Sequence, residues 1–589
     1  MVATNHLSKF FILANCCLAL GLLLNYVLPT VINTLIDKQI MLVPTSKSYP
    51  LWKEPPVPIY QKFYFFNVTN AADVEQLGHR PQLQEIGPFT YRTDWSKRDI
   101  DNDDLKSIIT FKSFKQWYFE PELSIADHHL ELVTLNAPLA ITLSLIQNAS
   151  NAIRLLVTFS LDGLSEGFFT RRSVKQLLFD GYPDLLTTFG PLLNAEMLSQ
   201  GGHFGYMNAR NQSQDGIFEV NTGQDDIYKL NTINKYNGRS RLPYWHNYHH
   251  SNHCNSLEGS TIGELFPPLS RDDDSEEEGD TVKSNSDEKS GAATPTAKVP
   301  SIKLFQPDFC RVWRLDQVDK MEMPNGLRLR RFRATRDVFK NSTELPANAC
   351  FFAGKAAQAG RLGANQNRQN RPHTNRVGRQ QQQASSSRPH GQHHHQHSKL
   401  RQEWPSGVFT LAPCKFNAPI YMSMPHFLDA DPYYSSHLDG MAPDLSRHDF
   451  FVDLEPRTGS PVALAVRVQL NVAISKPPGL VRFRHVPEIM FPVFWQELSV
   501  NLSNSEPVLD QLLLASRGAQ EANMRISYSF LILGIAILIT TSVFYLHARA
   551  LDSAASLGSL SSSSIVISGG GKTSASALDA GARQAKEIK

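Results

Sequence analysis

Apolar and polar positions alternate with a period of two along much of this chain. The clearest run, PVALAVRVQLNVAI at 461–474, puts Val462, Leu464, Val466, Val468, Leu470, Val472 and Ile474 on one face. Ala463, Ala465, Arg467, Gln469, Asn471 and Ala473 fall on the other. Strict alternation predicts a half-buried strand of an antiparallel sheet. Shorter strand signals occur at KFYFFNVTN, SIITFKSFKQWYFEP, DGIFEV and GLRLRRFRA. In EIGPFTYR, residues 85–92, Pro88 has no amide donor and biases Gly87 away from helix. The pair is therefore expected to punctuate the start of a strand, with Phe89 and Tyr91 on one face and Thr90 and Arg92 on the other. Two stretches break the period. Residues 137–159 are rich in Leu, Ile and Ala over a length that predicts a helix, and RRSVKQLLFDGYPDLLTTF follows as a helix broken at 181–183. The predicted class is α+β, a large β-rich body with a small helical cap.

Two longer apolar runs change the picture. Residues 10–28 and 526–546 contain no Asp, Glu, Lys or Arg. As a helix the second spans about 31 Å, matching a hydrocarbon core of about 30 Å. A cleaved signal peptide is the alternative for the first, but no A-x-A-like site follows it. The domain boundaries expected are therefore a tail at 1–9, a span at 10–31, an ectodomain at 32–525, a span at 526–546 and a tail at 547–589. Lys9 precedes the first span, and Arg549, Lys572, Arg583, Lys586 and Lys589 follow the second. This places both tails in the cytoplasm. Five N-x-Ser/Thr sequons, at Asn67, Asn148, Asn211, Asn341 and Asn501, all lie between the spans, as outward-facing glycosylation sites would.

Composition marks two insertions. Residues 270–300 carry the acidic RDDDSEEEGD, and residues 354–402 are rich in Gln, His and Ser with nine Lys or Arg and no acid. Neither has enough apolar surface to offset the entropy of ordering, so both are read as disordered. Their opposite charges invite pairing, but two independent solvated loops explain them as well. A QHHHQH run within the second has no rigid scaffold for a metal, and none is assigned. The net charge of +2 gives no reason to expect nucleic acid. Of six cysteines, Cys16 and Cys17 sit in the first apolar run and read as core thiols. The other four, Cys254, Cys310, Cys350 and Cys414, allow three pairings in an oxidising compartment.

Taken in order, several motifs resemble the class B scavenger receptor family, the group containing fatty-acid translocase, the high-density-lipoprotein receptor, the lysosomal integral membrane protein and sensory neuron membrane proteins. They are IYQKFYFFNVTNAADV, EIGPFTYR, FEPELS, LLFDGYPD, DGIFEVNTGQDDIYKL, PYWHNYHHSNHC, FPPL, SMPHFLDADP and HDFFVDLEPRTGSPVALAVRVQLNV. The resemblance implies an ectodomain anchored by a transmembrane hairpin, with a large antiparallel β-barrel, an apical helical bundle and a lipid tunnel. Its implied partners are fatty acids, lipoproteins or other apolar and anionic ligands. It also implies the pairs Cys254 with Cys350 and Cys310 with Cys414. A third bridge common in the family has no counterpart beside Cys350-Phe351-Phe352.

The apex departs from the lysine-rich family pattern. LDGLSEGFFTRR has Asp162 and Glu166, then Phe168, Phe169, Arg171 and Arg172. These last four are the candidate patch where ligand enters, combining apolar contact with anion attraction. The competing reading makes the phenylalanines helical core. Arg328, Arg330, Arg331, Arg333 and Arg336 read as a solvated face. His128, His129, His249, His250 and His426 are available bases, but no G-x-S-x-G, H-E-x-x-H or Cys/His nucleophile context accompanies them, so no catalytic residue or cofactor is assigned. The function expected is a membrane scavenger receptor that binds and transfers lipid. A lysosomal sorting receptor of the same family and a two-span ligand-gated channel are the alternatives. The absence of an acidic dileucine signal favours the plasma membrane over lysosomal or endosomal membrane. Homo-oligomerisation stays open, because no stretch of the sequence speaks to it.

Overall fold

The computed structural model describes residues 2–147, 149–163, 167–193, 202–245, 252–269, 299–352, 403–415, 417–475 and 483–561. Both insertions, Asn148, Glu166, His249 and His250 therefore lie almost wholly or wholly outside the described residues. The chain divides into a larger unit, Ile32–Ala519, and a smaller one made of Met1–Val31 and Gln520–Lys589.

One sheet of 14 strands organises the larger unit. Its order runs Ser260–Thr261, Ser301–Phe305, Val312–Glu322, Arg328–Ala334, Phe451–Glu455, Ser460–Ala473, Met490–Asn501, Ile59–Val68, Leu83–Asp103, Ile108–Phe119, Ser213–Asn221 and Ile233–Tyr236. Phe409–Thr410 and Ile420–Ser423 extend it beside Ser460–Ala473. Every pairing is antiparallel except the short first one, and the sheet nearly closes on itself. With its helices this is the α+β class that the periodicity predicts. The four shorter strand signals all lie on strands of this sheet.

Gly87-Pro88 does not start a strand. It lies inside Leu83–Asp103, where the ladder to Ile59–Val68 skips from Phe63 opposite Phe89 to Phe65 opposite Ile86. A Cβ on Gly87 would lie 2.7 Å from the Phe63 carbonyl oxygen and 2.8 Å from Tyr64 Cα. The glycine admits the neighbouring backbone, and the proline removes a donor where the ladder has a bulge.

The 461–474 pattern is also more deeply covered than alternation suggests. Gln469 and Asn471, on its polar face, have no exposed surface. Ser423 and the His426 amide meet their side chains: Asn471 Nδ2 donates to Ser423 Oγ at 3.0 Å, and His426 N donates to Gln469 Oε1 at 2.7 Å.

The helical expectations need two corrections. Residues 137–159 form two helices, Ala137–Ile146 and Asn151–Gly163, the first capped by Asn136 Oδ1 accepting from Leu139 N. In the next stretch Phe169–Ser173 is a strand paired with Glu131–Leu135, followed by short helical turns at Gln176–Asp180 and Leu185–Phe189 on either side of the predicted break, where Tyr182–Pro183 pairs with His203–Phe204. The arginine strand is not a solvated face either. Arg330 is buried, Arg331 grips Asp453 through two 2.7 Å contacts, and Arg333 and Arg336 pair with Asp449. Asp453 on the neighbouring strand and Asp449 just before it neutralise that row.

In the smaller unit, helices Val2–Ile40 and Ala519–Ser561 contain segments, Leu7–Ile40 and Glu521–Ala554, long and apolar enough to cross a membrane. Small residues let them approach. A Cβ on Gly21 would meet Leu531 Cγ at 2.8 Å, and one on Gly534 would meet Leu18 Cγ at 2.8 Å. Cys16 and Cys17 are free thiols, Cys17 half-buried and Cys16 on the outer face of its helix rather than in a core.

Candidate functional site

The inner face of five adjacent strands encloses a cavity of about 290 Å³. Residues two apart line it on each strand: Ile59 and Gln61; Thr93 and Trp95; Lys115 and Trp117; Leu464 and Val466; Gln496, Leu498 and Val500. A period of two thus builds the wall, and the runs read from the sequence supply two of its five strands, at Lys115 and Trp117 and at Leu464 and Val466. Ile262, Leu265, Phe266 and Phe309 contribute from connecting segments, and most of the lining is apolar. The exposed lining residues Lys47, Leu51, Pro56 and Gln511 come from the first and last segments of the larger unit.

Apart from the exposed Lys47, the charged lining residues are Lys115, Arg210, Glu264 and Asp308. Lys115 Nζ lies 2.7 Å from Asp215 Oδ2 and 4.2 Å from the Trp95 ring centre. Arg210 reaches Asp215 at 2.8 Å and also pairs with Asp308, which Lys415 approaches at 3.3 Å. Burial pushes the Asp215 carboxyl up, but Lys115 and Arg210 outweigh it and hold the group below its ordinary range. Nearby, the fully buried Lys97 ammonium donates to the Trp52 carbonyl at 2.6 Å and sits 3.2 Å from Glu264. Burial lowers its proton affinity and Glu264 opposes that. A lysine in phase with Thr93 and Trp95 was the available sequence sign that polar groups face inward here.

A second polar cluster lies behind the EIGPFTYR segment. His426 Nε2 donates to Glu85 Oε2 at 2.5 Å, Trp495 Nε1 donates to the same oxygen at 2.8 Å, and Arg447 pairs with Oε1. Burial pushes the Glu85 carboxyl up, but these hydrogen bonds and the Arg447 charge bring it down to about 2. The His426 and His448 rings stack with centres 4.5 Å apart. Burial, then the neighbouring His426 and Arg447, lower His448 to about 4. Glu85, His426 and His448 offer three ligand atoms within 4.8 Å of one another. Each Nδ1, however, accepts a backbone N–H, from Ala442 and Asp444 respectively. A metal on Nε2 would leave both rings without a proton, so the arrangement suits a neutral hydrogen-bonded clamp. The other cysteine-histidine group, His253 with Cys254 and Cys350, has its sulfurs bonded to each other.

The proposed ligand-entrance patch does not form as read. Phe168 is 1% exposed and packs on Phe169 and Phe483, while the half-buried Phe169 meets Phe491. They are core residues on and beside a strand, because pairing with Glu131–Leu135 turns the segment inward. Arg171 is exposed, whereas Arg172 lies 4.6 Å over the Tyr182 ring. Cys254 is bonded to Cys350 and Cys310 to Cys414. Asn211 and Asn501 are exposed; Asn67 and Asn341 are half-buried, with amide oxygens that accept backbone N–H groups. His128 stacks on Phe119 at 4.0 Å, and His129 contacts Asp127.

A nearly closed antiparallel sheet around an apolar cavity, in a chain with two membrane-length helices, defines a membrane-anchored α+β protein of the receptor type. The chain belongs to the CD36 family, whose pattern it matches over residues 12–545. It is 25% identical over 534 residues to scavenger receptor class B member 1 of Bos taurus, covering 90% of this chain and 87% of that one. The rat protein of the same name is 27% identical over 485 residues, covering 82% and 78%. Human lysosome membrane protein 2 is 27% identical over 486 residues, covering 82% of this chain and 83% of that one.

Proposed function

We propose that this protein is a scavenger receptor that takes apolar and anionic lipids into the cavity of its larger unit and passes them to the membrane that holds it. The observation that carries the reading is the apolar cavity walled by alternate residues of five strands, with exposed lining at the segments that lead to the two apolar helices. Each methylene moved from water into such a wall gains about 0.8 kcal/mol, and no bond need be made or broken. In this reading residues 32–525 face outward from the plasma membrane with both tails cytoplasmic. Glycans sit on Asn67, Asn148, Asn211, Asn341 and Asn501, and the two disulfides brace the body.

Lipid extraction and mass spectrometry of the purified full-length protein test this. Fatty acids, sterols or phospholipids are expected to copurify from the wild type. Val466→Trp, which fills the cavity from one strand, is expected to lose them while still reaching the cell surface. A wild-type protein that carries no lipid would sink the reading.

A further inference from the structure

The hairpin between Leu83–Asp103 and Ile108–Phe119 ends in a turn, Asp103–Lys106, closed by Lys106 N donating to the Asp103 carbonyl at 3.1 Å. Its third residue, Leu105, is 99% exposed. Turn chemistry favours Gly, Asn, Asp or Ser and asks for nothing apolar at such a tip. The surroundings of the hairpin say where the tip stands. Ile36 and Ile40, from the last turns of the apolar helix Val2–Ile40, pack in one cluster with Ile100 and Ile109, which flank the turn, and with Ile227 and Leu230. Leu42 N then donates to the Thr222 carbonyl at 2.9 Å, and Thr222 N donates to the Ser107 carbonyl at 2.9 Å. The chain leaves its first membrane-length segment, Leu7–Ile40, through these bonds, so the turn lies at the level where that segment ends. Tyr228, next to Ile227, is 45% exposed.

We infer that this turn is a membrane foot: Leu105 seats among the head groups of the leaflet on which the larger unit stands, with Tyr228 as a second contact. A leucine gains by leaving water, and a tyrosine ring suits the boundary between apolar and wet regions. The charges choose the leaflet. Asp101, Asp103 and Asp104 outnumber Lys106, which already pairs with Asp103 at 2.6 Å, so the tip is acidic. Anionic head groups repel such a tip, and zwitterionic phosphocholine does not. With the helix as one support, the foot is a second and fixes the tilt of the larger unit on the bilayer. The inference needs the helix Val2–Ile40 to cross the membrane and is independent of the lipid cavity.

The test uses the full-length protein carrying Cys16→Ser and Cys17→Ser, in phosphatidylcholine vesicles that contain a lipid spin-labelled at the top of its acyl chain. A fluorophore is attached at Leu105→Cys, at Tyr228→Cys, or at Leu123→Cys in the turn Pro121–Leu123, which follows the far end of the 12-residue strand Ile108–Phe119. Cys16, exposed on the apolar helix, is the membrane reference when Cys17 alone is replaced. The spin label is expected to dim the fluorophore at position 105 roughly twofold and to leave the one at position 123 unchanged. Replacing part of the phosphatidylcholine by phosphatidylserine is expected to weaken the dimming. No dimming at position 105, with Cys16 dimmed, overturns the foot and leaves the anchor. No dimming at either withdraws the membrane-crossing helix and the foot together. Equal dimming at 105 and 123 shows that the fluorophore seeks lipid by itself and overturns the inference. Dimming that does not fall with phosphatidylserine overturns the choice of leaflet. Tyr228→Cys decides the same question if Leu105→Cys does not fold.

Discussion

At His448 the ring nitrogen that would have to take a proton already accepts a hydrogen bond from the Asp444 amide, and the ring is buried against His426 and Trp495. Its folded value of about 4 lies below the ordinary 6.5, so the unfolded chain takes up the proton first. Stability is then full above about pH 6.5 and falls as the pH drops towards 4. Glu85, at about 2 against an ordinary 4.5, adds a second loss below pH 4.5. Thermal melts of the wild type between pH 7 and 4 should show a falling midpoint. His448→Gln, whose amide oxygen can take the Asp444 N–H, should flatten the upper part of that fall. Parallel slopes for the two proteins would refute the assignment. Glu85 and His426 each stand in a motif of the sequence, but their contact joins residues 341 positions apart, and no local pattern reports a pairing of that range.

The individual elements show where local pattern suffices and where it fails. Strands were readable because their side chains obey a period of two even when both faces end up covered, as Gln469 and Asn471 are. Residues 171–173, expected to open a helix, form a strand instead, because local composition does not separate the two when the strand pairs with a segment elsewhere in the chain. The Gly87-Pro88 bulge reads in the sequence as a strand start because its reason, the approach of Phe63 and Tyr64, belongs to the neighbouring strand. Gly87→Ala should therefore destabilise the body by about 1–3 kcal/mol, since the added methyl must displace backbone rather than a flexible side chain. The thermal midpoint of the purified variant measures this, and an unchanged midpoint would show that the bulge can yield.

For the molecule as a whole, the cavity could not be listed from sequence: of the strand residues that wall it, Lys115, Trp117, Leu464 and Val466 lie in the alternating runs, and Ile59, Gln61, Thr93, Trp95, Gln496, Leu498 and Val500 lie outside them. Which of two faces points inward depends on how five strands are placed side by side, and only the assembled sheet settles that. The disulfides act at the same scale. Replacing one partner, as in Cys310→Ser, should cost about 2–5 kcal/mol and hold the protein inside the secretory pathway. Surface labelling against total protein checks it, and normal surface levels would mean that the bridge is dispensable. The positions of the bridges carry one more implication. The basic Gln- and His-rich segment, residues 354–402, lies after Cys254, Cys310 and Cys350 and before Cys414. A protease that cut the chain anywhere within it would part the two membrane-length helices in sequence but not in substance. The Cys310–Cys414 bond would keep both pieces in one covalent molecule, and only a reducing agent would release two chains.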